Sequence, residues 1–197
     1  MRKLIVILCL TLLFLGIVTL FWRNEWVYSL PTPVPATYQV VPTGSDVDIT
    51  GSFQSHGKSL FLHFFNPDCP CSRFNIEHFK SLVKWYGTEV SFGIVVLTKK
   101  NYSVKDIQDK FDLQIPVSFD TAIATACGVY STPQAVIITA GHKLYFRGNY
   151  NKSRYCTDKK SNYAQLALEG ILHKNANIIF DRFALTAYGC GVPKCKK

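Results

Sequence analysis

Read for apolar and polar positions, the chain opens on an unbroken uncharged run from Leu4 to Phe21, LIVILCLTLLFLGIVTLF. Its 18 residues meet the lower limit for crossing a bilayer as a helix, and Trp22 makes an interfacial flank. The pattern then changes to short apolar runs separated by turn residues. Lys58 to Phe65, KSLFLHFF, reads as a buried central strand stopped by Asn66-Pro67-Asp68. From Pro70 to Gly87 the spacing predicts a helix with Phe74, Phe79, Leu82, Val83 and Tyr86 on one side. Val90 to Leu97 is a second buried strand.

Ser103-Val104-Lys105-Asp106 has the form of a capping box opening a short helix that buries Ile107 and Phe111. Ile115 to Phe119 reads as a brief strand and Thr121 to Cys127 as a short helix. Ala135 to Thr139 and Lys143 to Arg147, joined at Ala140-Gly141-His142, read as a hairpin. Ser161 is placed as the cap of a last helix burying Tyr163, Leu166, Ala167, Ile171 and Leu172. The order β-α-β-α-β-α-β-β-α predicts an α/β fold, a mixed sheet flanked by helices and preceded by one N-terminal transmembrane helix.

Four segments follow: a cytoplasmic N-terminus and anchor over 1–22, a Pro-rich linker over 23–42, a folded domain over 43–174, and a cysteine-containing tail over 175–197. Pro31, Pro33, Pro35 and Pro42 make the linker a semi-extended spacer expected to hold the domain off the membrane. Arg2 and Lys3 hold the N-terminus in the cytoplasm, so everything after Trp22 is exported. A cleaved signal peptide fits less well, because no small-x-small site follows the run and the nearest, Val34-Pro35-Ala36, is distant. Leu8 before Cys9 argues against a lipoprotein signal.

The formal charge of +9, from 22 Lys and Arg against 13 Asp and Glu, is scattered without a basic run and predicts no nucleic-acid partner. Cysteine changes the picture more. Seven are present, and six lie beyond the anchor: Cys69, Cys71, Cys127, Cys156, Cys190 and Cys195. Disulfides persist outside the cytoplasm, and spacing does not fix their connectivity. Cys190 and Cys195 enclose a turn-like loop that closes locally in one arrangement. In another, Cys156 pairs with either of them or with Cys127. Cys127 is also a candidate third thiol near the reactive pair.

That pair is Cys69 and Cys71. Pro70 suits the first helical position, which makes Cys69 the N-cap. Its sulfur then meets orphan N–H groups and the positive helix end, which favour the attacking thiolate, while Asp68 opposes this if its carboxylate points inward. A bridge across one residue closes almost no loop and gains little as architecture, so this spacing reads as exchange chemistry. No cofactor and no resident metal are called for.

On these residues the chain resembles the thioredoxin superfamily. FFNPDCPC lies where thioredoxins run a strand into a Cys-x-x-Cys helix start, and Cys69 to Asn75 is similar to redoxin-type membrane-anchored thioredoxin-like proteins of bacteria with a Cys-Pro-Cys motif. Val129 to Pro133 resembles the loop whose cis-proline lies against the active cysteines, with Pro133 in that role. The resemblance covers about residues 43–174. It implies a thioredoxin-like fold and a thiol–disulfide oxidoreductase in the bacterial inner membrane, single-pass, with its C-terminal domain in the periplasm. Its partners would be thiols or disulfides of exported proteins, a membrane redox partner, and the inner membrane through residues 4–21.

His63 lies six residues before Cys69, where thioredoxins keep a buried acid that relays protons. The resemblance implies acid–base work for it; the pattern alone equally gives a hydrogen-bonded histidine on a buried strand. The alternative function is a copper chaperone or metalloenzyme assembly factor on the same fold, since thiolates with a histidine suit Cu(I). Those carriers space their cysteines by three residues and add a later histidine; here the spacing is one and His142 sits in the hairpin turn. A peroxiredoxin is disfavoured by Asn66, where those enzymes have Thr.

Overall fold

The structure is a computed structural model that describes residues 2–49, 51–153, 155–173 and 178–192. One helix, α1 (Arg2–Ser29), is long and apolar enough to cross a membrane. It runs past the apolar stretch through a π-helical turn at Trp22–Trp26. None of the residues over Arg2–Phe21 is buried against protein.

The central sheet has the order β3-β2-β1-β5-β6. Strand β1 (Ser59–Phe65) lies parallel to β2 (Val90–Val96), which lies parallel to β3 (Val117–Ser118). On the other side of β1, β5 (Gln134–Ile138) runs antiparallel, followed by β6 (Leu144–Gly148). Six of the seven β1 residues are buried, as a strand covered on both faces requires. Two further short strands, β4 (Ser131–Thr132) and β7 (Cys190–Gly191), form a separate antiparallel pair.

Alternation along β1 divides the core. Phe61 and Phe65 point to one face with Phe79, Phe92 and Phe111, under helices α3 (Ile76–Tyr86), α4 (Val104–Phe111) and α6 (Tyr163–Leu172). Leu60, Leu62 and Phe64 point to the other, against Val47, Ile49, Phe53 and the short helix α5 (Ala122–Ala126). Each fully buried Phe or Leu contributes about 1.5–3 kcal/mol, so these two layers supply most of the drive to fold. The mixed sheet between helical layers is the thioredoxin-like arrangement that the sequence predicts.

The elements differ from expectation in three places. The helix expected over 70–87 is two, α2 (Pro70–Arg73) and α3, interrupted at Phe74–Asn75. Asn75 donates from its side chain to the Cys71 carbonyl at 3.4 Å, a side-chain bond that competes with the helical ladder. The last helix starts at Tyr163 with Asn162 as cap, and Ser161 closes a 3₁₀ turn before it. The tail carries a helical turn, α7 (Arg182–Leu185), and β7, which the sequence pattern had not announced.

The Pro-rich segment, expected as a spacer, lies against the domain instead. Thr32 is 3 % exposed, and its N–H donates to the Ala187 carbonyl at 2.7 Å. Tyr38 donates to the Gly128 carbonyl at 3.0 Å, and Arg147 to the Val41 carbonyl at 2.9 Å. Prolines keep a chain extended, and an extended chain offers its carbonyls and side chains to whatever it passes.

Candidate functional site

Where β1 ends, Asn66 shapes the turn: its side chain accepts from the Asp68 N–H at 2.9 Å, and its own N–H donates to the Ser72 hydroxyl at 3.3 Å. Cys69 follows in extended conformation as the N-cap of α2, with Pro70 in the first turn. Asp68 does not press its charge on the sulfur unopposed. Its carboxylate accepts from Lys100 Nζ at 2.7 Å, from Thr98 at 2.9 Å and from Tyr102 at 3.0 Å. The bond from Lys100 above all holds the Asp68 carboxyl below its ordinary range.

Cys69 is disulfide-bonded to Cys190, across 121 residues of sequence and with Cα atoms 6.7 Å apart. The spacing in the sequence instead pairs Cys69 with Cys71 and leaves Cys190 to Cys195 or Cys156. Cys195 lies outside the described residues. Cys71 is a thiol in this structure, and the sulfurs of Cys69, Cys71 and Cys190 all lie within 4.8 Å of one another. All three are buried, Cys69 completely, with Tyr28 from the end of α1 packed against them.

Cys190 reaches this place on β7. Ser131 pairs with Gly191 and Thr132 with Cys190, directly before the Thr132–Pro133 peptide, which is cis. Gly189 backs onto the Thr132 carbonyl so closely that any Cβ there would collide with it. Thr32 completes the joint, donating from its hydroxyl to the Gly189 carbonyl at 2.7 Å and lying 3.1 Å from the Ser131 hydroxyl. Beside the sulfurs is a cavity of about 260 Å³ lined by Cys71, Asn75, Pro133, Tyr150 and Tyr28 among others. Pro133 thus shares a cavity wall with Cys71.

His63 stands elsewhere, on the sheet face that carries the phenylalanines. It is wholly buried, stacks on Phe79 at 4.8 Å, and shares a 2.6 Å hydrogen bond between Nδ1 and the Tyr150 hydroxyl. Burial drives its pKa down to about 3, so the ring is neutral at any physiological pH. Its partner Tyr150 lines the cavity beside Cys71.

Cys127 does not join the cluster. It is buried on the opposite sheet face, where desolvation pushes its thiol up to about 12. Cys156 donates to Asn75 Oδ1 at 2.7 Å and is likewise raised to about 12 by burial. The third sulfur is Cys190, and its signal in the sequence was only that it is one of the cysteines beyond the anchor.

The geometry allows sulfur exchange among three positions. No curated protein matches the chain. Among solved structures, a hypothetical protein from Sinorhizobium meliloti shares the fold with a TM-score of 0.61 at 14 % identity, covering 79 % of this chain and 96 % of its own. An uncharacterized conserved protein from Geobacillus kaustophilus does so at 0.58 and 17 %, covering 73 % and 89 %. A thiol:disulfide interchange protein of the thioredoxin family from Chlorobium tepidum aligns at 0.46 and 18 %, covering 66 % and 99 %. Residues 39–191, from the Pro-rich segment through β7, match the family described as Domain of unknown function (DUF6436), and the chain belongs to that family.

Proposed function

We propose that this protein is a membrane-anchored thiol–disulfide oxidoreductase acting on cysteines of exported proteins, with Cys69 as the attacking sulfur and Cys71 as the resolving one. The observation that carries it is the cluster of three sulfurs within 4.8 Å at the start of α2, beside Pro133. In the reductive direction the Cys69 thiolate attacks a client disulfide, forming a mixed disulfide and releasing one client thiol. Cys71 then attacks Cys69 and frees the other. The oxidative direction is the reverse. A membrane redox partner restores the pair. The apolar helix after Arg2 and Lys3 supports a single-pass inner-membrane protein with its domain in the periplasm, where disulfides persist.

The full chain in detergent, equilibrated with defined thiol–disulfide buffers and then alkylated, gives the redox state of each cysteine by mass. Cys69 is expected to pass between thiol and disulfide at about −120 to −270 mV, the range of exchange proteins. A Cys69 that stays oxidised under far more reducing conditions, or never forms a disulfide, sinks the reading.

The third sulfur also favours a second reading, a Cu(I) carrier for metalloenzyme assembly, because three thiolates suit that ion. His63 adds no ligand to it, since the ligand atoms that cluster within 4.8 Å are the three sulfurs alone among the described residues. One Cu(I) bound per anaerobically reduced chain, abolished by Cys190→Ser, would support it; no binding by the reduced chain excludes it.

A further inference from the structure

The tail that carries Cys190 is seated as a strand, and three observations bear on why. Its backbone occupies the edge of β4 immediately before Pro133, and Val192 N–H extends the contact to the Tyr130 carbonyl at 3.1 Å. Cys69 is completely buried beneath it, so no partner reaches that sulfur while the tail is in place. Cys71 stands within 4.8 Å of both bonded sulfurs. A bridge closing so long a loop serves well as architecture. Exchange also requires a third thiol beside the bond, and Cys71 supplies one at that distance.

We propose that Cys190 is a third redox cysteine, and that residues 189–191 act as an internal substrate of the Cys69/Cys71 pair. The inference rests on the thiol–disulfide reading above. Cys71 gives up its proton, and its thiolate attacks the Cys69 sulfur. The Cys69–Cys190 bond breaks as the Cys69–Cys71 bond forms, and Cys190 leaves as a thiolate that takes up a proton. One disulfide and one thiol are present before and after, so the step needs no outside oxidant or reductant. Once released, the tail uncovers Cys69 and the Ser131–Thr132 edge, where an extended cysteine-bearing segment of a client can add as a strand. The reverse exchange seats the tail again and closes the site.

The test uses the full chain in detergent, oxidised, with iodoacetamide as a trap and no reductant, followed by disulfide mapping. Two products are expected from the wild type: Cys71 alkylated with Cys69–Cys190 intact, and Cys190 alkylated with Cys69–Cys71 formed. In Cys71→Ser the trapping of Cys190 should fall by about tenfold or more, because the neighbouring nucleophile is gone. If Cys71 is alkylated in the wild type and Cys190 never is, the bridge is inert and the inference fails. That result needs no variant to fold. Cys190→Ser keeps the two claims apart. A Cys69–Cys71 pair that still titrates there, with Cys190 never trapped in the wild type, overturns the inference and leaves the oxidoreductase reading standing. A Cys69 that exchanges with neither partner removes both.

Discussion

His63 and Tyr150, 87 residues apart, share a buried 2.6 Å hydrogen bond that ties the central strand to the wall of the cavity beside Cys71. His63 Nε2 has no hydrogen-bond partner among the described residues, so this bond is all that offsets burying the ring's polar atoms. Tyr150→Phe should lower stability by about 1–3 kcal/mol, read from urea unfolding of the full chain in detergent. An unchanged midpoint would show that the bond does not form.

Acid should weaken the fold through the same histidine. The folded-state value of about 3 lies below the ordinary 6.5, so between them the unfolded chain binds a proton that the folded chain refuses. Stability from this group is full above pH ~6.5 and falls by about 1.4 kcal/mol per unit on acidification below it. His63→Gln should therefore lose about 2 kcal/mol less than wild type between roughly pH 6.5 and 5. Parallel slopes for the two proteins would contradict this.

Lys100 neutralises Asp68, the residue next to Cys69. Lys100→Ala leaves that carboxylate uncompensated beside a developing thiolate and should slow alkylation of reduced Cys69 by roughly two- to fivefold at neutral pH. The Lys100 side chain is 70 % exposed, so the difference should shrink in about 0.5 M salt. A rate that does not respond to Lys100→Ala means that the carboxylate and the sulfur do not interact.

Gly189 has no room for a side chain against the Thr132 carbonyl. Gly189→Ala should push the tail off β4, costing about 1–3 kcal/mol and making Cys190 easier to reduce. The readout is the fraction of Cys190 thiol at fixed glutathione poise. A fraction equal to wild type would mean that the tail does not sit where the structure puts it.

Local patterns made most of the fold legible. The apolar run at Lys58 to Phe65 marked β1, and the Ser103–Asp106 capping box is formed as read. Cys69 as N-cap, with Pro70 next, also followed from adjacent residues. The tail did not. β7 is two residues long, too short for any periodicity, and the bond to Cys69 joins positions 121 apart. Asn75 read as one more helical position because nothing in the sequence says that its side chain will take the Cys71 carbonyl. Thr32 looked like one polar residue among prolines, since its partners at Ser131 and Gly189 are adjacent only after folding.

Thr32 stands three residues beyond α1 yet holds the tail in place, and this bears on how the protein can be made soluble. A truncation starting at Thr43, where the folded domain reads as beginning, discards both that hydroxyl and the Tyr28 ring packed on the sulfurs. Its tail would part from β4 more readily and its Cys69 would react faster than in the full chain. Kinetics and potentials taken from such a fragment would belong to the fragment. The shortest faithful soluble version begins ahead of Tyr28, at the foot of the anchor itself.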